Sequence, residues 1–237
     1  MRMKHKPFII SGFIGLAVIL ISVISLFIFP QTAPGQIAGI RSPIIAFEFA
    51  QTVDEIHTLF GPDGSPEQAD MIRKMDQGNI LDYLYMLLYS SFLFSFALTI
   101  VKQSGKQWLY LGAVLAILAL IGDALENIQL LTITAHLPSG DIVAALARLH
   151  WFTWLKWGSL ALYFLGASVW FRRNGRFGKI IAGLGIITFL LSLASFIQRG
   201  ATTESFTLSV ALMFLLMIIF CFTTKSIPEN QSIHRPA

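Results

Sequence analysis

Residues 108–133 read WLYLGAVLAILALIGDALENIQLLTI. As an α-helix rising 1.5 Å per residue this stretch extends about 39 Å, enough to cross the ~30 Å hydrocarbon core of a bilayer. Gly112, Ala116, Ala119, Asp123, Glu126 and Asn127 fall at helical spacing and share one face, small residues first and polar residues after. Small residues admit a neighbouring helix closely, so this face belongs inside a bundle. A carboxylate in a transmembrane segment costs about 2.5–3.5 kcal/mol at the centre on insertion scales. Two acids and an amide on one buried stripe therefore mark both the fold and the place where its polar chemistry gathers.

The composition agrees. The chain has 237 residues, 55% hydrophobic and 13% charged, with a mean hydropathy of +0.69. Soluble domains carry about 25% charged residues, so a soluble enzyme with a small core and a disordered chain are both excluded. Besides 108–133, five apolar runs are long enough to cross a membrane: 8–29, 80–101, 149–171, 180–197 and 206–222. The predicted fold is an all-α polytopic transmembrane helical bundle of about six spans, forming one membrane domain over 1–237. The first run, 22 apolar residues after a basic start, is longer than a signal-peptide core. It reads as an uncleaved anchor, with cleavage near Ala33 as the alternative.

Lysine and arginine placement predicts orientation. The N-terminus (Arg2, Lys4, Lys6), second loop (Lys102, Lys106), fourth loop (Arg172, Arg173, Arg176, Lys179) and tail (Lys225, Arg235) hold 11. The opposite segments hold 5: Arg41, Arg73, Lys74, Arg148 and Arg199. Both termini are thus expected in the cytoplasm, and the acid-rich connection 30–79 outside. The basic residues form short groups between spans without an aromatic-flanked stripe, so they point to membrane orientation and not to nucleic acid.

The 30–79 connection carries its own helix signals. Thr52-Val-Asp-Glu55 has capping-box spacing and Gly61 can end the helix it opens. Ser65-Pro66-Glu67-Gln68 opens a second helix towards the second span, with Gly78-Asn79 as a candidate break. Ile44, Ile45, Phe47 and Phe49 are too apolar for water and are expected on the membrane surface or tucked between spans. Ser139-Gly-Asp141 is expected to open the helix that leads into the fourth span.

Four ionisable residues lie inside spans: Asp82, Asp123, Glu126 and Lys156. Counting from the span ends, Asp82 lies about 5 Å and Lys156 about 10 Å below the outer boundary, and Asp123 about 22 Å up from the inner one. All four share one outer layer. Asp82, Tyr85 and Tyr89 line one face of their span, and Thr153, Lys156, Leu160 and Tyr163 line another. These faces are expected to meet the 108–133 stripe. Three acids against one lysine leave an imbalance that a low-dielectric site resists, relieved by protonation, by a bound cation, or by Glu48 and Arg41 from the loop. A helix–helix ion pair with no further role is the plain structural alternative.

Other chemistries find less support. Asp123, Glu126 and Asn127 offer oxygens at i, i+3 and i+4, and His57, His136 and His150 fall on the same side, but no zinc-type spacing appears and His150 stands about 240° around its helix from Lys156. No metal and no cofactor is expected. Cys221 lies alone in an apolar run and reads as a buried structural thiol. Thr188, Ser192 and Ser195 read as interhelical hydrogen-bonding groups.

The order Ile44-Ile-Ala-Phe-Glu48-Phe-Ala50, Leu81-Asp82-Tyr83, Asp123-Ala-Leu-Glu126-Asn127 and Lys156-Trp157 resembles a group of bacterial multi-spanning inner-membrane proteins, over about residues 40–165. The resemblance implies that Glu48, Asp82, Asp123, Glu126, Asn127 and Lys156 belong to one constellation, and it supplies no substrate. With Tyr85, these residues form the candidate ligand-binding set. Three functions stay open: binding or transport of a small amphipathic or cationic ligand; an enzyme acting on lipid or isoprenoid with Glu126 or Asp123 as general acid; and a structural or assembly subunit. Membrane lipid is the expected surrounding partner in each.

Overall fold

The computed structural model describes residues 6–224; Arg2, Lys4, Lys225 and Arg235, counted above for orientation, lie outside the described residues. The described chain is all-α, with one isolated bridge between Ile37 and Ile40. Six long helices form the bundle: α1 (Ile9–Ile28), α4 (Pro66–Ser104), α5 (Tyr110–His136), α6 (Val143–Phe171), α7 (Gly175–Ile197) and α8 (Ala201–Thr223). Two short ones, α2 (Pro43–Glu48) and α3 (Val53–Phe60), sit in the long connection. Each predicted span lies within one of the long helices or differs from it by a residue or two.

Five of the six, all but α6, are long and apolar enough to cross a membrane. The 29-residue α6 is as long but more polar, because Arg148, Lys156 and four tryptophans interrupt it. The bundle's outer surface carries exposed Phe13, Leu20, Phe27, Leu111, Ile186, Phe196 and Leu208. An apolar surface contributed by nearly every long helix fits a multi-pass membrane protein.

The helices neighbour one another in a ring, α1–α4–α5–α6–α7–α8, with α8 returning to α1. Glycines set the closest approaches. A Cβ on Gly122 of α5 would lie 2.6 Å from the Lys156 backbone nitrogen of α6, and one on Gly15 of α1 would lie 2.5 Å from Ile218 of α8. At the end away from the long connection, Phe8, Phe96, Trp170, Phe171 and Phe220 interlock, with Phe96 and Phe171 centroids 5.7 Å apart. A second apolar cluster joins Ile37, Ile40, Phe47, Ile56 and Phe60 to Leu130, Ile133 and Leu149, which seats the connection on α5 and α6.

The capping signals of the connection are realised. Glu55 N–H donates to Thr52 Oγ1 at 3.2 Å and Thr52 N–H to Glu55 Oε2 at 3.3 Å, and Gly61 ends α3 at φ +85°. Gln68 N–H donates to Ser65 Oγ at 3.1 Å at the start of α4. The candidate break at Gly78-Asn79 does not occur: α4 runs unbroken for 39 residues, about 58 Å. Gly78 serves contact instead, since a Cβ there would run into the Phe29 ring. The start of α6 also differs from expectation, because its N-cap is Ile142, with no side-chain cap. The hydroxyl stripe of α7 is interhelical only at Ser195, which bonds Thr203 Oγ1 at 2.8 Å; Thr188 and Ser192 turn back to carbonyls of their own helix. Cys221 is fully buried.

Candidate functional site

Two elements, α2 and α5, bring carboxylates to Lys156 of α6. Its Nζ lies 3.2 Å from Glu48 Oε1 of α2 and 3.3 Å from Asp123 Oδ1 of α5, and it pairs directly with Glu126 Oε2 one turn further along α5. It also lies 5.0 Å above the Trp157 ring. All three carboxylates and the lysine are buried, Glu126 completely. Lys156 reaches them because Gly122 removes the side chain that would hold α5 and α6 apart at this level.

The second oxygens of these acids have different partners. Trp157 Nε1–H donates to Glu48 Oε2 at 2.9 Å, and Thr153 Oγ1–H holds the Glu48 carbonyl at 3.0 Å. Tyr89 O–H donates to Asp123 Oδ2 at 2.7 Å, which ties α4 into the cluster. Burial is the largest influence on Glu48 and raises its carboxyl above the ordinary 4.5, against the opposing Lys156 charge. Glu126 Oε1 accepts no hydrogen bond among the described residues.

Asp82 stands apart from this knot. Asn127 Nδ2–H donates to its Oδ2 at 2.7 Å, while no lysine, arginine or histidine pairs with it among the described residues. It lines a cavity of about 350 Å3 together with Glu48, Asn79, Tyr85, Tyr89, Asp123 and Lys156. The rest of the wall is largely apolar: Leu26 of α1 and Phe29 just past its end, Ile44 and Ile45 of α2, Leu160 of α6, and Val210 and Phe214 of α8. The cavity therefore has an acidic inner end and an apolar flank. Glu126 and Asn127 lie behind it as partners of lining residues and do not line it themselves.

All seven residues singled out from the sequence thus fall in or directly behind one cavity. The three faces expected to meet do meet, through Tyr89–Asp123, Asn127–Asp82 and Lys156 with Asp123 and Glu126. The apolar stretch 44–49 tucks between the spans, with Phe49 edge-on to Trp154 at 5.6 Å. Arg41 is the exception. Its side chain is exposed, and its backbone N–H, with that of Ser42, is held by the Glu204 carboxylate of α8. Trp157, Asn79 and the α1 serines Ser22 and Ser25 were missed as wall residues. Trp157 had a signal, its place beside Lys156; the others depend on how distant helices pack.

The connection is also fastened from the α7–α8 turn. Arg199 Nη1–H and Nη2–H donate to Glu55 Oε2 and Oε1 at 3.0 and 2.9 Å, and Nη1–H donates also to the Phe49 carbonyl at 2.7 Å. The bond to the Phe49 carbonyl lies one residue beyond Glu48, so it holds the backbone beside the acid that reaches Lys156.

No family model, curated protein or solved structure matches this chain. The functional case therefore rests on the geometry alone. Among the described residues no group of three or more His, Cys, Asp or Glu side chains is placed to hold a metal ion. His57 pairs with Asp63 at 3.3 Å, His136 Nδ1 lies 2.9 Å from the Thr132 carbonyl, and His150 packs on Trp151; none of the three lines the cavity.

Proposed function

We propose that this chain is a multi-pass membrane protein that binds, or binds and transports, a small amphipathic or cationic ligand in the cavity beneath its long connection. In this reading all six long helices span the bilayer. Both termini face the cytoplasm, as the lysine and arginine count supports, and the cavity lies in the outer half of the membrane. The resemblance to bacterial inner-membrane proteins is part of the same proposal. One observation carries the ligand reading: Glu48, Asp82 and Asp123 face one cavity, Glu126 lies behind it, and Lys156 is the single ammonium among four carboxylates. If all were ionised, the site would be short of positive charge in a low-dielectric setting, and a cationic head group supplies it. The apolar flank suits a hydrocarbon portion.

The knot around Lys156 by itself suits a packing role, since paired charges can hold helices without binding anything. A cavity beside the knot, with an acid in its wall that no cation pairs, has no place in that account. The test is native mass spectrometry of the whole chain released from nanodiscs made with bacterial lipid extract. An adduct of a small amphiphile is expected with the wild type and not with Leu160→Trp, which fills the cavity. Absence of any adduct, together with no thermal stabilisation by amphiphilic cations, overturns the proposal.

A further inference from the structure

Within the cavity the polar groups are unequal. The Glu48 and Asp123 carboxylates each pair with Lys156 through one oxygen and accept a hydrogen bond, from Trp157 or Tyr89, at the other; for Asp123 Oδ1 the Lys156 ion pair at 3.3 Å is the sole polar contact among the described residues. Asp82 is the exception among the lining acids: Oδ2 takes the Asn127 amide, and among the described residues Oδ1 takes no hydrogen bond or ion pair. One helical turn away on α4, Asn79 also lines the cavity and is 1% exposed; its side chain makes no hydrogen bond among the described residues, and its Nδ2 is buried without a partner. Buried amides are nearly always bonded, so an unsatisfied one in a cavity wall marks a group that a ligand meets. At i and i+3 the two side chains lie about 5–6 Å apart at Cβ.

The mouth can also be located. Leu26 lines the cavity and yet is 63% exposed on the outer face of the bundle. Further from this end, α1 is drawn onto α8 at Gly12 and Gly15. Towards the connection the two helices instead offer Ser25, Leu26, Val210 and Phe214 to the cavity wall. A chain leaving past Leu26 enters the lipid-facing side, not the aqueous end.

We infer that the ligand is a single-chain amine bearing a neutral oxygen a few bonds from nitrogen, in the manner of a long-chain amino alcohol. Its ammonium pairs with Asp82, its oxygen meets the Asn79 amide, and its tail leaves past Leu26 into the bilayer. This rests on the ligand-binding reading above and adds its head-group chemistry. A phosphate beside the amine is disfavoured, because it would meet Glu48 and Asp123 in the same wall. Lys156 is already enclosed by three carboxylates and is not the ligand's partner.

The test uses the full chain in nanodiscs with four probes: 2-amino-1-dodecanol, dodecylamine, dodecyltrimethylammonium and 1-dodecanol. Wild type is expected to bind the amino alcohol at least threefold more tightly than dodecylamine, and both more tightly than the other two. Asp82→Asn should weaken both amines tenfold or more, and Asn79→Ala should abolish the preference for the amino alcohol. Wild-type affinity in the Asp82→Asn variant, or an intact preference in the Asn79→Ala variant, overturns the inference. A measurement on wild type guards against misfolded variants. Carbodiimide-driven labelling of Asp82, read by peptide mass, should fall when the amino alcohol binds; unchanged labelling with ligand bound overturns the inference. Binding that ignores Asp82 and Asn79 sinks this head-group assignment alone, whereas failure of all four probes to bind wild type sinks the ligand-binding reading with it.

Discussion

Glu48, the last residue of a six-residue helix in the long connection, pairs with Lys156 in the middle of α6 at 3.2 Å. The connection is thus part of the cavity wall and not a loose link between long helices. Its position depends on a short chain of contacts, from Arg199 through Glu55 and the Phe49 carbonyl to Glu48.

Lys156→Met should be the most damaging single change, costing about 3–5 kcal/mol because it strands three buried carboxylates. Neutralising them together, as Glu48→Gln, Asp123→Asn and Glu126→Gln in the Lys156→Met background, should recover most of that loss. Thermal unfolding of the purified protein in one detergent measures both. Equal losses in the single and combined variants would show that the charge network is not what Lys156 supports.

The Arg199–Glu55 fork should give the connection a pH-dependent hold. Partial burial opposes ionisation of Glu55, but hydrogen bonds from Arg199 and the Gln51 N–H win and hold its carboxyl below the ordinary 4.5. Its contribution is complete above that ordinary value and is lost as pH falls through the lowered one. Glu55→Gln should therefore cost about 1 kcal/mol at pH 6, given a partly exposed but bidentate pair. The gap to wild type should close in acid, as unfolding midpoints at stepped pH will report; a gap that persists unchanged at low pH counts against it.

Gly122→Ala should loosen the α5–α6 contact. The new methyl carbon would lie 2.6 Å from the Lys156 nitrogen and 3.0 Å from the Leu155 carbonyl carbon, both backbone atoms that cannot swing aside. A cost of about 1–3 kcal/mol is expected. Gly183→Ala, where a Cβ meets nothing within 4 Å, is the control and should be close to neutral by the same unfolding assay.

Tyr89→Phe should remove the hydroxyl that satisfies Asp123 Oδ2 at 2.7 Å while keeping the ring against Phe214. Loss of one bond to a buried charged acceptor predicts about 1.5–3 kcal/mol. Tyr85→Phe, on a half-buried ring in the same wall, should cost less; the reverse order in melting experiments would assign Tyr85 the larger role.

Much of this was legible from residue order. Helical spacing put Asp123, Glu126 and Asn127 on one face with Gly112, Ala116 and Ala119, and small residues next to acids can only face other helices. The capping box at Thr52–Glu55 is local chemistry and appears as read. Gly78 is the instructive failure. A glycine before an asparagine in a helix suggests a break, but its missing side chain here admits Phe29 from the end of α1, a residue distant in sequence. Arg41 failed similarly: its charge suggested a partner for the acids, whereas Glu204 anchors its backbone. Asn79 was read only as half of a candidate break and carried no signal of a place in the cavity wall, because a polar residue near the end of an apolar run is ordinary until neighbouring helices bury it.

The sequence by itself determined an all-α bundle, the positions of its long apolar helices and the fact that few charges occupy them, because a long apolar run satisfies its backbone internally as a helix and any charge within it stands out as an exception. Tertiary structure alone decided how those charges are shared. Lys156 is enclosed by Glu48, Asp123 and Glu126, and Asp82 is left with an amide for company. Which carboxylate meets the lysine depends on the angle at which α2, α4, α5 and α6 cross, and those angles follow from glycine contacts and side-chain packing between segments far apart in the chain.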